Sequence, residues 1–212
     1  MRAALPAGSR ILVVDDNSPD GTGEIADRLA GESPDLEVLH RAAKQGIGPA
    51  YVAGFRRALE GGAEIVLQMD ADFSHDPADI PRLLGAAERA DLVIGSRYVA
   101  GGHVADWGPL RRAISRGGSA YARAVLSVGI RDLTGGFKAI RREVLEAIDL
   151  DSIASLGYAF QVEVTFRAIR SGFRVMEVPI TFRDRRVGQS KMTGAIVAEA
   201  ALGVPRMRAR RQ

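Results

Sequence analysis

Glu64-Ile65-Val66-Leu67-Gln68-Met69-Asp70-Ala71-Asp72-Phe73-Ser74-His75 reads as an apolar strand that ends in two carboxylates two residues apart. A strand of this kind buries its hydrophobic residues in a sheet and delivers the aspartates at its C-terminal edge, where open α/β sheets bind ligands. Hard oxygen donors in a chain without cysteine suit magnesium or manganese better than zinc. Asp-x-Asp alone is common and most often a solvated turn, so its weight comes from its surroundings.

On either side, short β-branched runs alternate with helical patterns. Ile11–Val14, Glu37–Leu39, Ile65–Met69 and Leu92–Ile94 read as strands; Thr22–Ala30, Gly48–Leu59, Pro77–Arg89 and Arg111–Leu126 read as helices. Strands separated by helices of that length imply right-handed crossovers and a mostly parallel sheet, so the fold class is α/β. Asp76-Pro77 supplies an N-cap and a first-turn proline, which starts the next helix close to the paired aspartates. Past residue 97 the alternation weakens into glycine-rich loops, a helix Gly157–Ser171, a strand Arg174–Pro179 and a basic loop Arg183–Lys191. Without a linker or repeat, residues 1–192 form one domain. Residues 11–97 make its nucleotide and metal half and 98–192 its acceptor half, followed by a terminal helix and basic tail over 193–212.

The 212 residues, 46% hydrophobic and 26% charged, are those of a soluble globular protein with material for a full core. No stretch approaches the roughly 18 apolar residues of a spanning helix, and no signal-peptide pattern precedes the first strand, so the expected location is cytoplasmic. The absence of cysteine excludes disulfides and thiolate metal sites. A net charge of +3 is too small to argue for nucleic acid. Arg206, Arg208, Arg210 and Arg211 crowd the C-terminus, as a solubilising tail or an attraction to an anionic membrane surface.

Six further motifs carry possible chemistry. Val13-Val14-Asp15-Asp16-Asn17-Ser18-Pro19-Asp20-Gly21-Thr22 sets paired carboxylates at a strand end, able to accept from a base N–H or a ribose hydroxyl. A capping turn built on Asp20 or Thr22 explains the same residues without a ligand. Lys44-Gln45-Gly46-Ile47-Gly48 leads into a helix whose free N–H groups favour anions, or is a plain strand-to-helix turn. Gly95-Ser96-Arg97-Tyr98 brings a cation to the sheet edge, and Arg111, Arg112 and Arg116 stand on a later helix, where 111 and 112 cannot both face one site and one of them is expected in solvent. Asp132-Leu133-Thr134-Gly135-Gly136-Phe137-Lys138 allows close backbone approach. Gln161 and Glu163 lie on a helix with Phe160, Val164 and Phe166 in the core. Arg185-Arg186-Val187-Gly188-Gln189-Ser190-Lys191 is a basic loop. Of the histidines only His75 lies by a candidate site, and Trp107 has no role beyond packing or an interfacial contact.

Taken in order, Val14–Thr22, Gly46-Ile-Gly-Pro-Ala-Tyr51, Met69–His75, Gly95–Gly102, Asp132–Lys138, Phe160-Gln-Val-Glu163 and Arg185–Met192 resemble the polyprenol (dolichol) monophosphate mannose synthases, inverting family 2 glycosyltransferases of GT-A fold. The resemblance runs from Ile11 to Met192. It implies transfer of mannose from GDP-mannose to a polyprenyl phosphate at the cytoplasmic membrane face, with Mg2+ or Mn2+. Carried over by position, Asp15 and Asp16 fall on the guanosine, Asp70 and Asp72 on the metal and diphosphate, and Ser74 on a metal-ligand position; Lys44, at the helix entry, is a further candidate for binding the donor. Arg97, Arg112, Arg185 and Lys191 match basic residues around the donor diphosphate and acceptor phosphate, with Arg111 as the neighbouring alternative. Gln161 and Glu163 match the acceptor segment. The expected catalytic group is Asp72, Arg112, Arg185 and Lys191, with no obligatory base, since the acceptor phosphate is already anionic.

Members of that family usually begin with a strand ending in Pro-Thr-Tyr-Asn-Glu. This chain starts some ten residues before what matches their second strand, so the expectation is a truncated chain whose sheet lacks the first. A UDP-sugar such as UDP-glucose as donor, or a nucleotide-binding module without turnover, are the alternatives. Residues 192–204 are expected either to attach as an amphipathic helix to the membrane or to pack on the domain, and a membrane-anchoring partner fits the same scheme.

Overall fold

The computed structural model describes residues 1–153, 155, 157, 159–184 and 203–209. Arg185, Lys191 and most of the expected terminal helix 192–204 lie outside the described residues.

After a short 3-10 turn at Arg2–Ala4, the chain runs β1 (Ile11–Asp15), α1 (Thr22–Gly31), β2 (Leu36–His40), α2 (Ile47–Glu60) and β3 (Ile65–Gln68). It continues through a 3-10 turn at Pro77–Asp79 into α3 (Ile80–Ala86), β4 (Leu92–Ser96), β5 (His103–Val104) and α4 (Pro109–Leu126). Then follow β6 (Lys138–Arg141), α5 (Arg142–Ala147), a 3-10 turn at Leu150–Ser152, α6 (Ala159–Arg170), β7 (Val175–Pro179) and β8 (Thr181–Phe182).

The expected strands and helices all form, within a mixed set of sheets rather than one uniform sheet. β1 and β2 pair in parallel, and β5 and β8 likewise. The larger sheet has the order β3-β6-β4-β7, with β6 antiparallel to both neighbours and β7 parallel to β4. Among the described residues β1 forms no ladder with β3. Sequence periodicity did not isolate β5, β6, β8 or α5, all of them six residues or shorter. The expected helix Pro77–Arg89 shortens to a 3-10 turn and seven α-helical residues. Pro81 and Gly85 both lie within that short stretch and weaken its continuation. The Asp76 cap forms as read, its carboxylate accepting from Ala78 N at 2.9 Å.

β4 is buried along its whole length, which fits its Leu-Val-Ile-Gly-Ser run and its place between β6 and β7. One side of the large sheet packs Leu92, Ile94 and Ile140 against Phe55 of α2, Val144 of α5 and Phe160 and Val164 of α6. The other side packs Val93, Ala139 and Phe137 on Ile80 and Leu83 of α3. A third cluster joins Ala122 and Leu126 of α4 to Val162 and Phe166 of α6 and to Val204 and Met207, in the helical residues 203–209. That end of the chain packs on the domain.

Candidate active site

β3 ends at Gln68, and Met69 carries the chain out to Asp70 and Asp72. Asp70 Oδ1 accepts from the Tyr51 hydroxyl at 2.7 Å. Burial first, then the adjacent Asp70 charge, pushes that phenol well above its ordinary pKa, so it remains a donor at neutral pH. The Asp70 backbone N–H donates to His75 Nδ1 at 3.2 Å. His75 is itself buried against Phe137 and Phe182, and burial lowers its pKa. Asp72 Oδ1 accepts from Ser74 N at 3.0 Å and Ser74 Oγ at 2.5 Å. Ser74, read from sequence as a metal position, is thus placed to orient Asp72. Phe73 between them has φ 63° and is 69% exposed. Gly136 passes close below: a Cβ there would meet the Asp70 carboxylate at 3.5 Å.

No three His, Cys, Asp or Glu side chains converge to hold a metal among the described residues. The site therefore offers two carboxylates and leaves other coordination positions to water or ligand oxygens. A Mg2+ ion bound by one or two carboxylates plus substrate phosphates needs this donor set.

On the nucleotide side, Asp15 is buried beside Gly23 and accepts from Ser18 N at 3.3 Å. Hydrogen bonding from Ser18 holds its carboxyl below the usual range, despite burial. Its Oδ1 is buried with no hydrogen-bond partner among the described residues. Asp20 makes the local turn, accepting from Thr22 N and Oγ1, and leaves Asp15 for another role. Asp16 pairs with Arg41, which also reaches Gln45 at 3.0 Å. Lys44 is exposed in the adjoining turn. His40 corrects the expectation that only His75 lies by the site: its ring is 2.8 Å from Asp27 and 3.6 Å from Asp15, and the Asp27 hydrogen bond leads in raising its pKa.

Arg97 sits deeper than a free phosphate ligand would. Its guanidinium makes a two-pronged bond to Asp132, at 2.8 and 2.6 Å, and a third to Thr134 Oγ1 at 2.8 Å. Desolvation works against its charge and Asp132 more than offsets this, so its pKa is raised. The Arg97 side chain also stacks near Tyr98, Trp107 and Phe182.

Neither Arg111 nor Arg112 is given up to solvent, in contrast to the sequence expectation. Both lie in the first turn of α4, where the chain folds back over β5. Arg111 covers the Trp107 ring at 4.1 Å and donates to Asp184 at 2.8 Å, while Arg112 reaches Val104 O at 3.2 Å. Trp107, left without a role by sequence, is buried between this pair and Phe182. Trp107 Nε1, Arg111 Nε and Arg112 Nε are three buried donors without an acceptor among the described residues.

α6 contributes support. Gln161 Oε1 accepts from Gln68 Nε2 at 2.9 Å, and the same Gln68 amide holds Gly136 O at 2.8 Å, tying α6 to the strand that carries the aspartates. Glu163 is buried in an ion pair with Arg167 and accepts from Ser155 Oγ at 2.6 Å. Arg167 in turn satisfies the carbonyls of Ile148, Asp149 and Ser152. Lys138 is wholly buried, donating to Gln161 O and Thr165 Oγ1, and desolvation lowers its pKa to about 7.

Sequence reading missed Tyr51 and Trp107. Tyr51 shares helical spacing with Phe55 and so reads as core, which it also is, stacked on Phe55 and Phe160. The Glu163–Arg167 pair was available from its i,i+4 spacing.

The family model described as Glycosyl transferase family 2 matches residues 5–149. The chain is 53% identical over 206 residues to an undecaprenyl-phosphate mannosyltransferase of Micrococcus luteus, covering 97% of this chain and 84% of that one. It is 53% identical over 196 residues to a polyprenol monophosphomannose synthase of Mycolicibacterium smegmatis, covering 92% and 74%. A dolichol-phosphate mannosyltransferase of Pyrococcus furiosus is 38% identical over 192 residues, of which this chain spans about half the length, 52%. Among solved structures, glucosyl-3-phosphoglycerate synthase of Mycobacterium tuberculosis in complex with phosphoglyceric acid superposes with a TM-score of 0.70 at 18% identity, covering 96% of this chain and 70% of that one. The same enzyme with Mn2+, UDP and glucosyl-3-phosphoglycerate gives 0.68 at 20%. These structures share the fold. Aspartates delivered at a strand end, a helix-flanked mixed sheet and the family match lead to one assignment: the chain is a glycosyltransferase of family 2, with the GT-A fold.

Proposed function

We propose that this enzyme moves mannose from GDP-mannose to a polyprenyl phosphate, with inversion at the anomeric carbon. The observation that carries the reading is 53% identity, over nearly the whole chain, to two relatives named for mannosyl transfer to polyprenyl phosphates. Asp15, with its unpartnered Oδ1, accepts from the nucleoside, Asp16 and Arg41 flank it, and Lys44, exposed in the turn after β2, adds a cation for the donor. Asp70 and Asp72 are the residues that would hold a Mg2+ or Mn2+ ion, which when bound would supply positive charge to the departing diphosphate. Tyr51 and Ser74 fix the orientation of the two carboxylates.

An oxygen of the acceptor phosphate attacks the anomeric carbon as the bond to the diphosphate oxygen breaks, releasing GDP. A phosphate monoester with a second pKa of about 6 is already anionic at pH 7, so no base is needed. The acceptor phosphate is taken at the basic start of α4, where Arg111 lies over the Trp107 ring and Arg112 follows it in the same turn. Arg185 and Lys191, which lie outside the described residues, are assigned to the same phosphates from the sequence motif alone, and Arg97 holds Asp132 and the Thr134 turn in place. Residues 1–192 form the single catalytic domain in this scheme.

The test is transfer of labelled mannose from GDP-mannose to a short-chain polyprenyl phosphate with Mn2+, with UDP-glucose as competing donor. Transfer from GDP-mannose that disappears in Asp70→Asn and Asp72→Asn is expected. Transfer from UDP-glucose instead would replace the donor assignment, and metal-dependent GDP binding without transfer would favour a binding module.

A further inference from the structure

β1 and β2 end side by side, and their last ladder partners are Asp15 and His40. The half-exposed His40 ring stands between two carboxylates: its Nε2 is 2.8 Å from Asp27 Oδ1 on α1, and its Nδ1 is 3.6 Å from Asp15 Oδ2. α1 closes on this pair at Gly23, where an added Cβ would lie 2.9 Å from Asp15 Oδ2 and 3.3 Å from His40 Cε1. The charged groups that face the ring from β1 and α1 are thus Asp15 and Asp27. The neighbouring Arg41 is engaged by Asp16 and Gln45, and Arg57 of α2 pairs with Glu37, farther back along β2.

A neutral imidazole has one N–H and one lone pair, so it cannot present a proton to both carboxylates; the imidazolium can. The Asp27 hydrogen bond, opposed in part by desolvation and joined by Asp15, raises the His40 pKa above its ordinary value. The ring sits at Asp15 Oδ2, which also accepts from Ser18 N at 3.3 Å. Asp15 Oδ1 is buried without a partner among the described residues. One oxygen is anchored and the other is left open. When His40 loses its proton and keeps Nε2–H for the nearer Asp27, the Nδ1 lone pair faces Asp15, and attraction at Oδ2 turns to repulsion.

We propose that His40, held by Asp27, is a positioning residue for the donor nucleoside: its imidazolium fixes Asp15 through Oδ2 and leaves Oδ1 to accept from a base N–H or a ribose hydroxyl. The inference rests on the reading that Asp15 receives the nucleoside. It adds a proton-dependent element to that site, because donor affinity falls as the pH rises through the His40 pKa. By linkage, a bound donor holds the His40 proton more tightly.

The experiment is calorimetric binding of GDP-mannose to the full chain at constant Mg2+, from pH 6 to pH 8.5. The diphosphate of this donor is substituted at both ends and exchanges no proton over that range. Wild-type affinity is expected to fall about three- to fivefold across it, the scale of a half-exposed ion pair. His40→Gln should bind at pH 6 as weakly as wild type at pH 8.5, with a flat profile. His40→Arg, which stays cationic, should keep the pH 6 affinity throughout. His75 is common to all three and cancels. In the nucleotide-free protein, the His40 Cε1–H resonance should titrate above pH 6.5 and move down in Asp27→Asn. A flat wild-type profile, the wild-type slope retained in His40→Gln, or titration of His40 at or below 6.5 would each overturn the proposal. Asp15→Asn separates the two levels. If it binds donor like wild type, the nucleoside reading fails and takes the proposal with it; if it loses donor while His40→Gln matches wild type at every pH, only the role of His40 falls. Should the chain bind UDP-glucose instead, the same series is run with that donor, whose base also carries an N–H.

Discussion

Single side chains in this enzyme are set by partners far away in sequence. Tyr51 and Asp70 are 19 residues apart and meet through one 2.7 Å hydrogen bond. Replacing Tyr51 by Phe keeps the stacking on Phe55 and Phe160 and removes only the hydroxyl. Because a group that orients a metal ligand typically carries about 10–100-fold in metal affinity, Tyr51→Phe should raise the Mn2+ concentration for half-maximal transfer by that order. A metal titration at fixed donor measures it, and an unchanged midpoint with altered folding would make Tyr51 purely a core residue. The carboxylates themselves were legible in sequence, since Asp-x-Asp after an apolar run is local. Their supports were not. Arg97 and Asp132, 35 residues apart, each look like independent ligands until the fold closes them on one another.

Elements were legible where the pattern was long. α1, α2, α4 and α6 and strands β1 to β4 and β7 appear near the positions their periodicity implies. β6 did not, because Lys138-Ala-Ile-Arg141 is short and its lysine reads as polar while being buried. Junctions between elements were equally hidden. At Gly48, in the first turn of α2, an added Cβ would lie 2.2 Å from Ser155 O and 3.2 Å from the Phe160 ring. Backbone on the facing side cannot swing away as a long side chain can. Gly48→Ala should therefore cost about 1–3 kcal/mol by overpacking, read as a lower melting temperature. Because the cost arises from a contact between α2 and the approach to α6, Gly31→Ala, which meets nothing within 4 Å, serves as the control and should leave stability nearly unchanged.

For the molecule as a whole, the stability against pH carries the mark of a buried lysine. Lys138 lies in the strand between β3 and β4, with hydroxyl and carbonyl acceptors but no carboxylate bonded to it. Its pKa is about 7 in the folded state against about 10.4 in an unfolded chain. Below pH 7 the ammonium is charged in both states and the burial penalty is complete. Between pH 7 and about 10 the unfolded chain binds the proton that the folded chain has released, so this lysine's contribution to stability rises with pH. Lys138→Met should raise the melting temperature relative to wild type more at pH 6 than at pH 9, since lost hydrogen bonds weigh nearly equally at both. A difference independent of pH would refute it.

The same scale shows how the two ligand-facing halves are joined. β1 and β2 share five ladder positions with each other, and among the described residues β1 shares none with β3. Asp15 stands on one ladder, and Asp70 follows the other. The two ladders are coupled through α2, which packs on β1 and whose Tyr51 donates to Asp70, so a shift of one ladder against the other is transmitted to the carboxylate that follows β3.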